Sequence, residues 1–397
     1  MRVLQINSIY RKGSTGRTTY EVEKALVEQG HEAFVAYGYG EKYEGYNYLR
    51  INSKLSNNIH KVMSRLTGLE GYFSFFSTKK MIRFIKKVSP DVIHLRCLHG
   101  DYLNLPVLFG FLKKYDGQVF MNLHDCWDFT GHCPYFGECD KWKTECNNCD
   151  KYKLYPKSYF IDTSRKIYKD KIKWYSGIKN LNVIAVSKWL KTLGEQSILK
   201  NRNVHYLYNW INQEIFNASY RNDLADKNFS VLFVSASWEP GTYRYEMLRQ
   251  LILMLPKTYN IKIVGIYRGE PIDSVNVEYL GYVGDERKLA DIYANSSVYV
   301  HLSKEEAFGK VIAEANACGI PAIVFDVSGC AEVVSETSGY KVPVDDLDGI
   351  VDKIHLIEKN GYDHYSKEAI ENVNKNFNYP KNVKTLIGLY EEYSRQN

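Results

Sequence analysis

A segment in the last quarter of the chain constrains the fold most strongly. Residues 305–334 read EEAFGKVIAEANACGIPAIVFDVSGCAEVV. A helical pattern follows Gly309 and ends at Cys318-Gly319, where glycine can adopt the left-handed conformation that caps a helix C-terminus. A short apolar strand comes after Pro321. This order of loop, helix, turn and buried strand predicts one repeat of a parallel α/β sheet.

Two glutamates flank the start of the predicted helix. Glu306 precedes it, and Glu314 lies about two turns into it. The unpaired N–H groups and the dipole of a helix N-terminus favour an anion at that point. A bound nucleotide-sugar fits, because its diphosphate would lie on the N-terminus while the carboxylates accept hydrogen bonds from sugar hydroxyls. The alternative is an ordinary βα unit whose glutamates are solvated.

The complete string resembles the signature of glycosyltransferase family 4. The residues that carry the resemblance are Glu306-Ala307-Phe308-Gly309, Glu314-Ala315 and Ala317-Cys318-Gly319-Ile320-Pro321. It implies a retaining nucleotide-sugar transferase with the GT-B fold, in which two Rossmann-like, doubly wound α/β domains face a cleft. It also implies that Glu306 reaches the donor sugar and that Glu314 binds the nucleotide ribose. The donor-binding residues expected here are Glu306, Ala307, Phe308, Gly309, Lys310 and Glu314.

Size and composition are those of a globular protein with two or three domains. The chain has 397 residues, of which 45% are hydrophobic and 25% are charged. No apolar run reaches the roughly 18 residues of a membrane span. The segment from Met1 to Tyr10 is too polar for a signal peptide and predicts a strand. We therefore expect a cytoplasmic protein, peripheral at most on the inner face of the membrane, with reduced or metal-bound cysteines.

Charge is distributed unevenly along the chain. Residues 1–200 carry an excess of 13 basic residues, and the remainder carries an excess of 7 acidic ones. A basic half favours an anionic partner such as a phosphate-bearing lipid, a membrane face or nucleic acid. Scattered, solvated lysines are the alternative.

The N-terminal residues predict a βαβ unit. A strand pattern at Val3–Ile6 is followed by a glycine-bearing loop, a helix and a second strand at Ala33–Tyr37. The glycine spacing is not that of the dinucleotide fingerprint, which disfavours a nicotinamide enzyme. The loop INSIYRKGSTGR is similar to that of bacterial polysaccharide transferases of the same family. The similarity implies that residues 13–17 line the cleft, with Gly13 and Gly16 near the donor.

Residues 52–89 form the most basic and aromatic tract of the chain. Within it, residues 79–88 have apolar side chains at helical spacing with lysines and an arginine between them. Either a membrane-surface helix or a helix packed on the sheet would give this pattern, and we favour the packed helix. The aromatic patch at residues 72–76 is the better candidate for contact with a lipid or an acceptor.

A polar pair, His124-Asp125, follows a strand predicted at Val119–Leu123. The carboxyl end of a parallel strand is the ligand-binding edge of a doubly wound sheet. The family resemblance implies that His124 contacts the donor sugar or the reacting centre, and with Glu306 it completes the expected catalytic pair. A structural His–Asp pair is the alternative.

Four cysteines follow this pair within seventeen residues. They are Cys133, Cys139, Cys146 and Cys149. Four thiols in a reduced chain favour a tetrahedral zinc site, although the first spacing is looser than usual. The segment resembles a cysteine-rich insertion of some bacterial polysaccharide transferases. We interpret it as a closed structural zinc site without a catalytic role, and free thiols are the alternative.

The second half of the chain repeats the βα alternation after a linker expected within residues 209–229. The family pattern would place an arginine and a lysine after the strand at Ser230–Ala236 to hold the diphosphate, but the lysine is missing, so Arg244 or Lys310 must serve. Residues 281–284 would face the nucleotide base through Tyr282 and Val283. The predicted domains are residues 1–208 on the acceptor side, residues 209–378 for the nucleotide-sugar, and a C-terminal helix in residues 379–397 that packs on the first domain.

The resemblance thus implies a retaining glycosyltransferase that moves a sugar from a UDP- or GDP-sugar to a saccharide or lipid-linked acceptor in surface-polysaccharide assembly. We expect no catalytic metal, since the acidic pair Asp345-Asp346 falls in a loop without a nucleotide site. One rival is a nucleotide-sugar epimerase or phosphorolytic enzyme of the same architecture. Another is a zinc-knuckle nucleic-acid-binding protein, which the acidic second half disfavours.

Overall fold

The computed structural model describes residues 1–221, 229–272, 276–361 and 363–395. The chain forms two units. The first consists of Met1–Leu207 together with Val383–Asn397, and the second consists of Tyr208–Asn382. Each unit is built on its own parallel sheet.

The sheet of the first unit has seven strands among the described residues, all parallel, in the order β3-β2-β1-β4-β5-β6-β7. The strands are β1 (Arg2–Ile9), β2 (Glu32–Tyr39), β3 (Tyr48–Arg50), β4 (Val92–Leu95), β5 (Gln118–Leu123), β6 (Leu181–Ala185) and β7 (Asn203–Tyr206). Val3 of β1 lies opposite Ala33 of β2 on one side and Val92 of β4 on the other. Because strands are added in opposite directions from β1 and β4, the loops after these two strands diverge and leave a crevice at their carboxyl ends.

Helices connect these strands except β2 and β3, which a loop of residues 40–47 joins. They are α1 (Gly13–Glu28), α2 (Lys54–Thr67), α3 (Phe75–Val88), α4 (Leu105–Leu112), α5 (Ser164–Ser176) and α6 (Lys188–Gln196). The helix over residues 79–88 packs as we favoured, since Met81, Ile85 and Val88 are buried. The cysteine-rich segment lies between β5 and α5, where short 3₁₀ turns are formed by Trp127–Phe129 and Lys141–Lys143.

The sheet of the second unit has six parallel strands among the described residues, in the order β10-β9-β8-β11-β12-β13. They are β8 (Ser230–Trp238), β9 (Asn260–Tyr267), β10 (Val277–Gly281), β11 (Val298–His301), β12 (Ala322–Phe325) and β13 (Gly339–Val342). The helices are α7 (Tyr243–Met254), α8 (Glu286–Ala294), α9 (Lys310–Ala317), α10 (Cys330–Val333), α11 (Leu347–Asn360), α12 (Asp363–Asn376) and α13 (Tyr379–Arg395). The strand order reverses between β8 and β11, which places the second crevice there.

The C-terminal helix α13 returns to the first sheet. The Tyr390 hydroxyl lies 2.6 Å from Nδ1 of His94 in β4, and the Tyr393 hydroxyl lies 2.9 Å from Nε2 of His205 in β7. The predicted packing of this helix on the first domain is confirmed. Where the chain passes between the units, the Asn382 side chain donates a hydrogen bond to the Tyr208 carbonyl at 3.1 Å.

Within the described ranges, none of the helices combines the length and the apolar character needed to cross a bilayer.

Candidate active site

The crevice of the second unit is bordered by the loop of residues 302–309, which joins β11 to α9. Gly309 ends this loop with φ +87°, and a Cβ there would lie 2.6 Å from Ile312 Cδ1. Only glycine can therefore turn the chain into the helix without strain. The helix predicted after Gly309 and the strand predicted after Pro321 are both present.

The turn at Ser328-Gly329 fixes this loop. The Glu306 N–H donates to Ser328 Oγ at 3.1 Å, and the Gly329 N–H donates to the Glu306 carbonyl at 2.9 Å. A Cβ at Gly329 would lie 2.3 Å from the Ala307 carbonyl oxygen, so the two backbones meet only because this residue has no side chain. The main chain of Glu306 is thus held before any ligand binds.

The Glu306 carboxyl faces a buried histidine at the end of β11. His301 Nε2 lies 3.7 Å from Glu306 Oε1, which is too long for a hydrogen bond. Burial, and then the charge of Arg244, lowers the pKa of His301 to about 3, so the imidazole is neutral and the contact is not an ion pair. Burial also raises the pKa of Glu306 to about 7, although Arg244 opposes this.

Glu314 lies in the middle of α9. Its side chain is only 2% exposed, so the alternative of a solvated glutamate is wrong at this position. Burial, followed by the charges of Glu306 and Glu314, raises the pKa of Tyr299 well above its usual value. The Tyr299 hydroxyl lies 2.8 Å from His301 Nδ1. The charges of both carboxylates therefore act on Tyr299, and the Glu306 carboxyl also faces His301.

Three cationic residues belong to the elements that border this crevice. Arg244, the second residue of α7, is exposed and is close enough to Glu306 to lower its pKa. Lys310 is the half-buried first residue of α9. Lys304, which sequence reasoning missed, lies 2.8 Å from Asp345 Oδ2. Asp345, expected to have no role, also accepts a hydrogen bond from the Tyr243 hydroxyl at 2.6 Å.

The other residues expected at the donor site differ in their surroundings. Ala307 and Phe308 are both buried in the core. The centre of the Phe308 ring lies 5.2 Å from that of Phe377 and 6.1 Å from that of Tyr208. Tyr282 and Val283 follow β10, which is separated from β11 by two strands. Tyr282 is exposed.

The first crevice begins at the loop after β1. Gly13 adopts φ +63° with open space around it, whereas a Cβ at Gly16 would lie 3.2 Å from the Arg11 nitrogen. The Arg11 N–H donates to the Gly16 carbonyl at 3.0 Å. The Arg11 guanidinium lies over the rings of Tyr20 and Tyr43, at 4.5 and 4.7 Å. The loop therefore presents a positively charged group at the carboxyl end of β1.

His124 and Asp125 follow β5, but they are not paired with each other. Asp125 Oδ2 lies 2.9 Å from Nε2 of His99, and Asp125 Oδ1 accepts the Trp127 N–H at 2.8 Å. Burial, and then the charge of Arg96, lowers the pKa of His124 to about 3. His124 Nε2 has no hydrogen-bond partner among the described residues. A neutral imidazole is thus left with an unused nitrogen at this edge of the sheet.

Family models match both halves of the chain. The model described as Glycosyltransferase Family 4 matches residues 15–215, and the model described as Glycosyl transferases group 1 matches residues 274–376. The chain belongs to glycosyltransferase family 4.

Relatives and solved structures agree with this membership. The glycosyltransferase is 22% identical over 377 residues to WcaC of Escherichia coli (strain K12), which is provisionally named a colanic acid biosynthesis glycosyl transferase. The matched region covers 87% of this chain and 88% of WcaC. It matches sucrose-phosphate synthase of Thermosynechococcus elongatus with TM-score 0.72 and 16% identity over the whole of both chains. It matches Anabaena HepE in complex with UDP-glucose with TM-score 0.64 and 14% identity over 99% of this chain and 100% of HepE. The fold is GT-B, as predicted.

Sequence reasoning missed His99 of this glycosyltransferase. Burial would lower the pKa of His99, but Cys97 and Asp125 raise it well above its usual value. Its Nδ1 lies 2.9 Å from the Tyr155 hydroxyl. His99 comes four residues after β4, so the rule that selected His124, a polar residue beyond a parallel strand, could have found it.

The four cysteines of the insertion line one small cavity of about 50 Å³. The Gly131 N–H donates to Cys146 Sγ at 3.2 Å, and the thiols of Cys133 and Cys149 share a hydrogen bond. His132 lines the same cavity, and its buried Nε2 has no partner in the described part of the chain. No group of three or more His, Cys, Asp or Glu residues in the described ranges is arranged to hold a metal ion, so the structure does not show the predicted zinc site.

Proposed function

We propose that this glycosyltransferase moves a sugar from a UDP- or GDP-sugar to a hydroxyl of a saccharide or lipid-linked acceptor in cell-surface polysaccharide biosynthesis. The name of WcaC supports the pathway class, and HepE in complex with UDP-glucose supports a nucleotide-sugar donor. Retention of the anomeric configuration follows from the family resemblance. A lipid-linked acceptor would bring the enzyme to the inner face of the membrane.

The observation that carries the proposal is the pair of glutamates on either side of the α9 N-terminus, the half-buried Glu306 before it and the buried Glu314 within the helix, both close enough to Tyr299 to raise its pKa. Glu314 would accept hydrogen bonds from the ribose, and Glu306 would contact the donor sugar. The N–H groups at the start of α9 would meet the diphosphate, and Arg244 or Lys310 would supply the missing positive charge. In this assignment the second unit binds the donor and the first unit binds the acceptor.

The chemistry follows from these placements. The bond between the anomeric carbon and the diphosphate oxygen breaks, and the acceptor oxygen forms a new bond to the same carbon. The acceptor proton leaves with the departing nucleotide diphosphate. The negative charge that develops on the leaving oxygen is stabilised by the helix start and by Arg244 or Lys310. His124 is neutral, so its free nitrogen can hydrogen-bond the donor sugar without adding charge.

A thermal-shift panel of nucleotide diphosphates and nucleotide-sugars tests the donor site. We expect one nucleotide class to raise the melting temperature of the wild-type protein, and Glu314→Gln and Glu314→Ala to lose that shift. Glu336→Gln, which changes an exposed glutamate of the same unit, should keep it. A panel without any stabilisation, or an unchanged shift in both Glu314 variants, contradicts the proposal.

For the insertion we propose a structural zinc held by Cys133, Cys139, Cys146 and Cys149. The shared cavity and the N–H bond to Cys146 support the proposal, since thiolate ligands commonly accept backbone N–H bonds. Elemental analysis of protein purified without chelator should give about one zinc per chain. Cys146→Ser should lower this content, whereas Cys318→Ser, outside the insertion, should not. Zinc far below equimolar in the wild-type protein contradicts a zinc site.

A further inference from the structure

Helix α2 presents its apolar side to solvent and its polar side to the protein. The exposed fractions on the apolar side are Leu55 69%, Ile59 55%, Val62 54%, Met63 37% and Leu66 42%. At 3.6 residues per turn, Leu55, Ile59, Val62 and Leu66 form one stripe along the helix. The side chains on the opposite side, Asn57, His60 and Ser64, are buried. This is the reverse of the usual orientation of a surface helix.

Polar contacts fix this orientation. Asn57 donates to the Gly38 carbonyl at 3.1 Å and accepts from the Asn52 amide at 2.6 Å. His60 Nδ1 lies 2.8 Å from Ser74 Oγ, and burial lowers the pKa of His60 to about 4, so the ring is neutral. Rotating α2 to bury the stripe would break these bonds and leave buried polar groups without partners.

Both ends of the helix are capped independently of the stripe. Ser53 Oγ accepts the Ser56 N–H at 3.2 Å, and Gly68 closes the C-terminus with φ +73° and an N–H bond of 2.7 Å to the Ser64 carbonyl. The 14-residue helix is therefore complete, and its apolar side is left exposed by the described part of the chain. An exposed apolar stripe of this length marks an interaction surface.

A row of positive charge runs beside the stripe. Lys54, Lys61 and Arg65 share one flank of α2, seven and four residues apart. Five further basic residues lie in α3, at Lys79, Lys80, Arg83, Lys86 and Lys87, and all five are exposed. Glu70 is the single acidic residue between residues 54 and 88, and it is buried. This stretch therefore presents positive charge and apolar side chains without exposed acids.

The segment of residues 159–161 extends the apolar surface beyond the end of α2. The Tyr159 N–H donates to the Arg65 carbonyl at 2.8 Å, which holds the segment against the last turn of the helix. Tyr159, Phe160 and Ile161 are all exposed. Aromatic side chains at the edge of an apolar stripe suit the boundary between lipid headgroups and acyl chains.

We propose that the α2 face, meaning the stripe of α2 with its basic row and residues 159–161, docks the enzyme on an anionic phospholipid bilayer. The apolar stripe would enter the headgroup–acyl boundary while the basic row meets lipid phosphates. A second copy of the chain is a poorer occupant, because it would bring two basic rows together. The docking does not depend on which nucleotide-sugar the enzyme uses.

Vesicle co-sedimentation of the full-length protein tests this surface. We expect binding to phosphatidylcholine vesicles that contain about a third phosphatidylglycerol, weak binding to phosphatidylcholine alone, and loss of binding as salt is raised. Leu55→Gln/Ile59→Gln/Val62→Gln and Lys54→Gln/Lys61→Gln/Arg65→Gln should each reduce binding at least about tenfold. Val27→Gln/Leu253→Gln, which alters exposed apolar residues elsewhere, should bind like the wild type.

The nucleotide-induced thermal shift of each variant separates docking from donor binding. The stripe variant should keep the shift of the wild type, because α2 is not part of the donor site. The proposal is overturned if wild-type protein does not bind anionic vesicles, or if the stripe variant binds them as well as the wild type does. It is also overturned if the substitutions only convert a dimer to a monomer in sedimentation velocity, which would assign the face to a second copy.

Discussion

His99 Nε2 and Asp125 Oδ2 lie 2.9 Å apart, on the loops that follow the neighbouring strands β4 and β5. Burial opposes ionisation of both groups, yet Cys97 and Asp125 raise the pKa of His99, and His99 lowers the pKa of Asp125. A charged imidazole therefore lies beside the neutral imidazole of His124.

We expect Asp125→Asn to lower the pKa of His99 and to destabilise the first unit. The ion pair contributes stability above the pKa of an unfolded aspartate, about 4, and this contribution is lost as pH rises through the raised pKa of His99. The destabilisation should thus be largest between about pH 4 and the unfolded pKa of histidine, about 6.5, and should decline as the pH rises further. Histidine NMR titration and urea unfolding at several pH values measure both effects. Asp116→Asn, at an exposed position, is the control, and an unshifted His99 in Asp125→Asn would disprove the coupling.

Glu306→Gln should stabilise the folded protein at pH 8 while weakening donor binding. The pKa of Glu306 is raised from its unfolded value of about 4.5 to about 7, so ionisation opposes folding once the pH exceeds 4.5 and does so fully above 7. The gain in melting temperature over the wild type should therefore shrink as pH falls from 8 towards 4.5. Melting curves across this range decide the matter, and a gain independent of pH would rule out ionisation as its cause.

Gly309→Ala should destabilise the second unit by about 1–3 kcal/mol. Gly241→Ala is a matched control, because Gly241 also has positive φ, +77°, but a Cβ there meets nothing within 4 Å, whereas one at Gly309 lies 2.6 Å from Ile312. Both substitutions carry backbone strain, and only Gly309→Ala adds a clash beside Glu306. Denaturant unfolding and nucleotide-induced thermal shifts measure the effect of each substitution. If both variants lose the same free energy of unfolding, the clash at Gly309 costs nothing.

Lys171→Met should cost about 3 kcal/mol, since Lys171 is a buried residue of α5 whose side chain contacts the cysteine-rich segment. Its Nζ donates to the Thr130 carbonyl at 3.0 Å and lies 3.3 Å from the centre of the Trp127 ring, near the buried Asp128. Lys171→Met/Asp128→Asn should be less destabilised than Lys171→Met, because no unpaired buried charge remains. Lys169→Met, which affects an exposed pair with Glu145, should change stability by less than about 1 kcal/mol. If Lys171→Met/Asp128→Asn is as unstable as Lys171→Met, the destabilisation comes mainly from the lost hydrogen bonds of Lys171.

The parallel sheets and the segment from Glu306 to Gly319 were predictable because their signals are local. A glycine at a helix boundary, an apolar run after Pro321 and a carboxylate at a fixed offset each depend on a few neighbouring residues. The same holds for the C-terminal helix, whose apolar spacing is visible in the chain. His301 and Tyr299 were missed although they lie in β11, since nothing in the local pattern shows that the Glu306 carboxyl would face this strand.

Helix α2 shows why other features could not be predicted from the sequence. Its periodicity defines an apolar side and a polar side, and the usual inference buries the apolar one. The partners of Asn57 and His60 are Gly38, Asn52 and Ser74, which only the folded chain brings together. The partner of Asp125 is likewise distant in sequence, since His99 precedes it by 26 residues. The adjacency of His124 and Asp125 therefore wrongly suggested a pair between these two residues.

The hydrogen bond between Asn382 and Tyr208 ties the two ends of the second unit together. In the order of the chain, the second unit is therefore an insertion into the first. Its first and last residues lie next to each other. A gene encoding residues 208–382 alone should therefore yield a folded unit, which circular dichroism and thermal unfolding can test. In the remaining part, a short glycine linker should be able to join Leu207 to Val383. Each unit could then be exchanged as a whole between related enzymes.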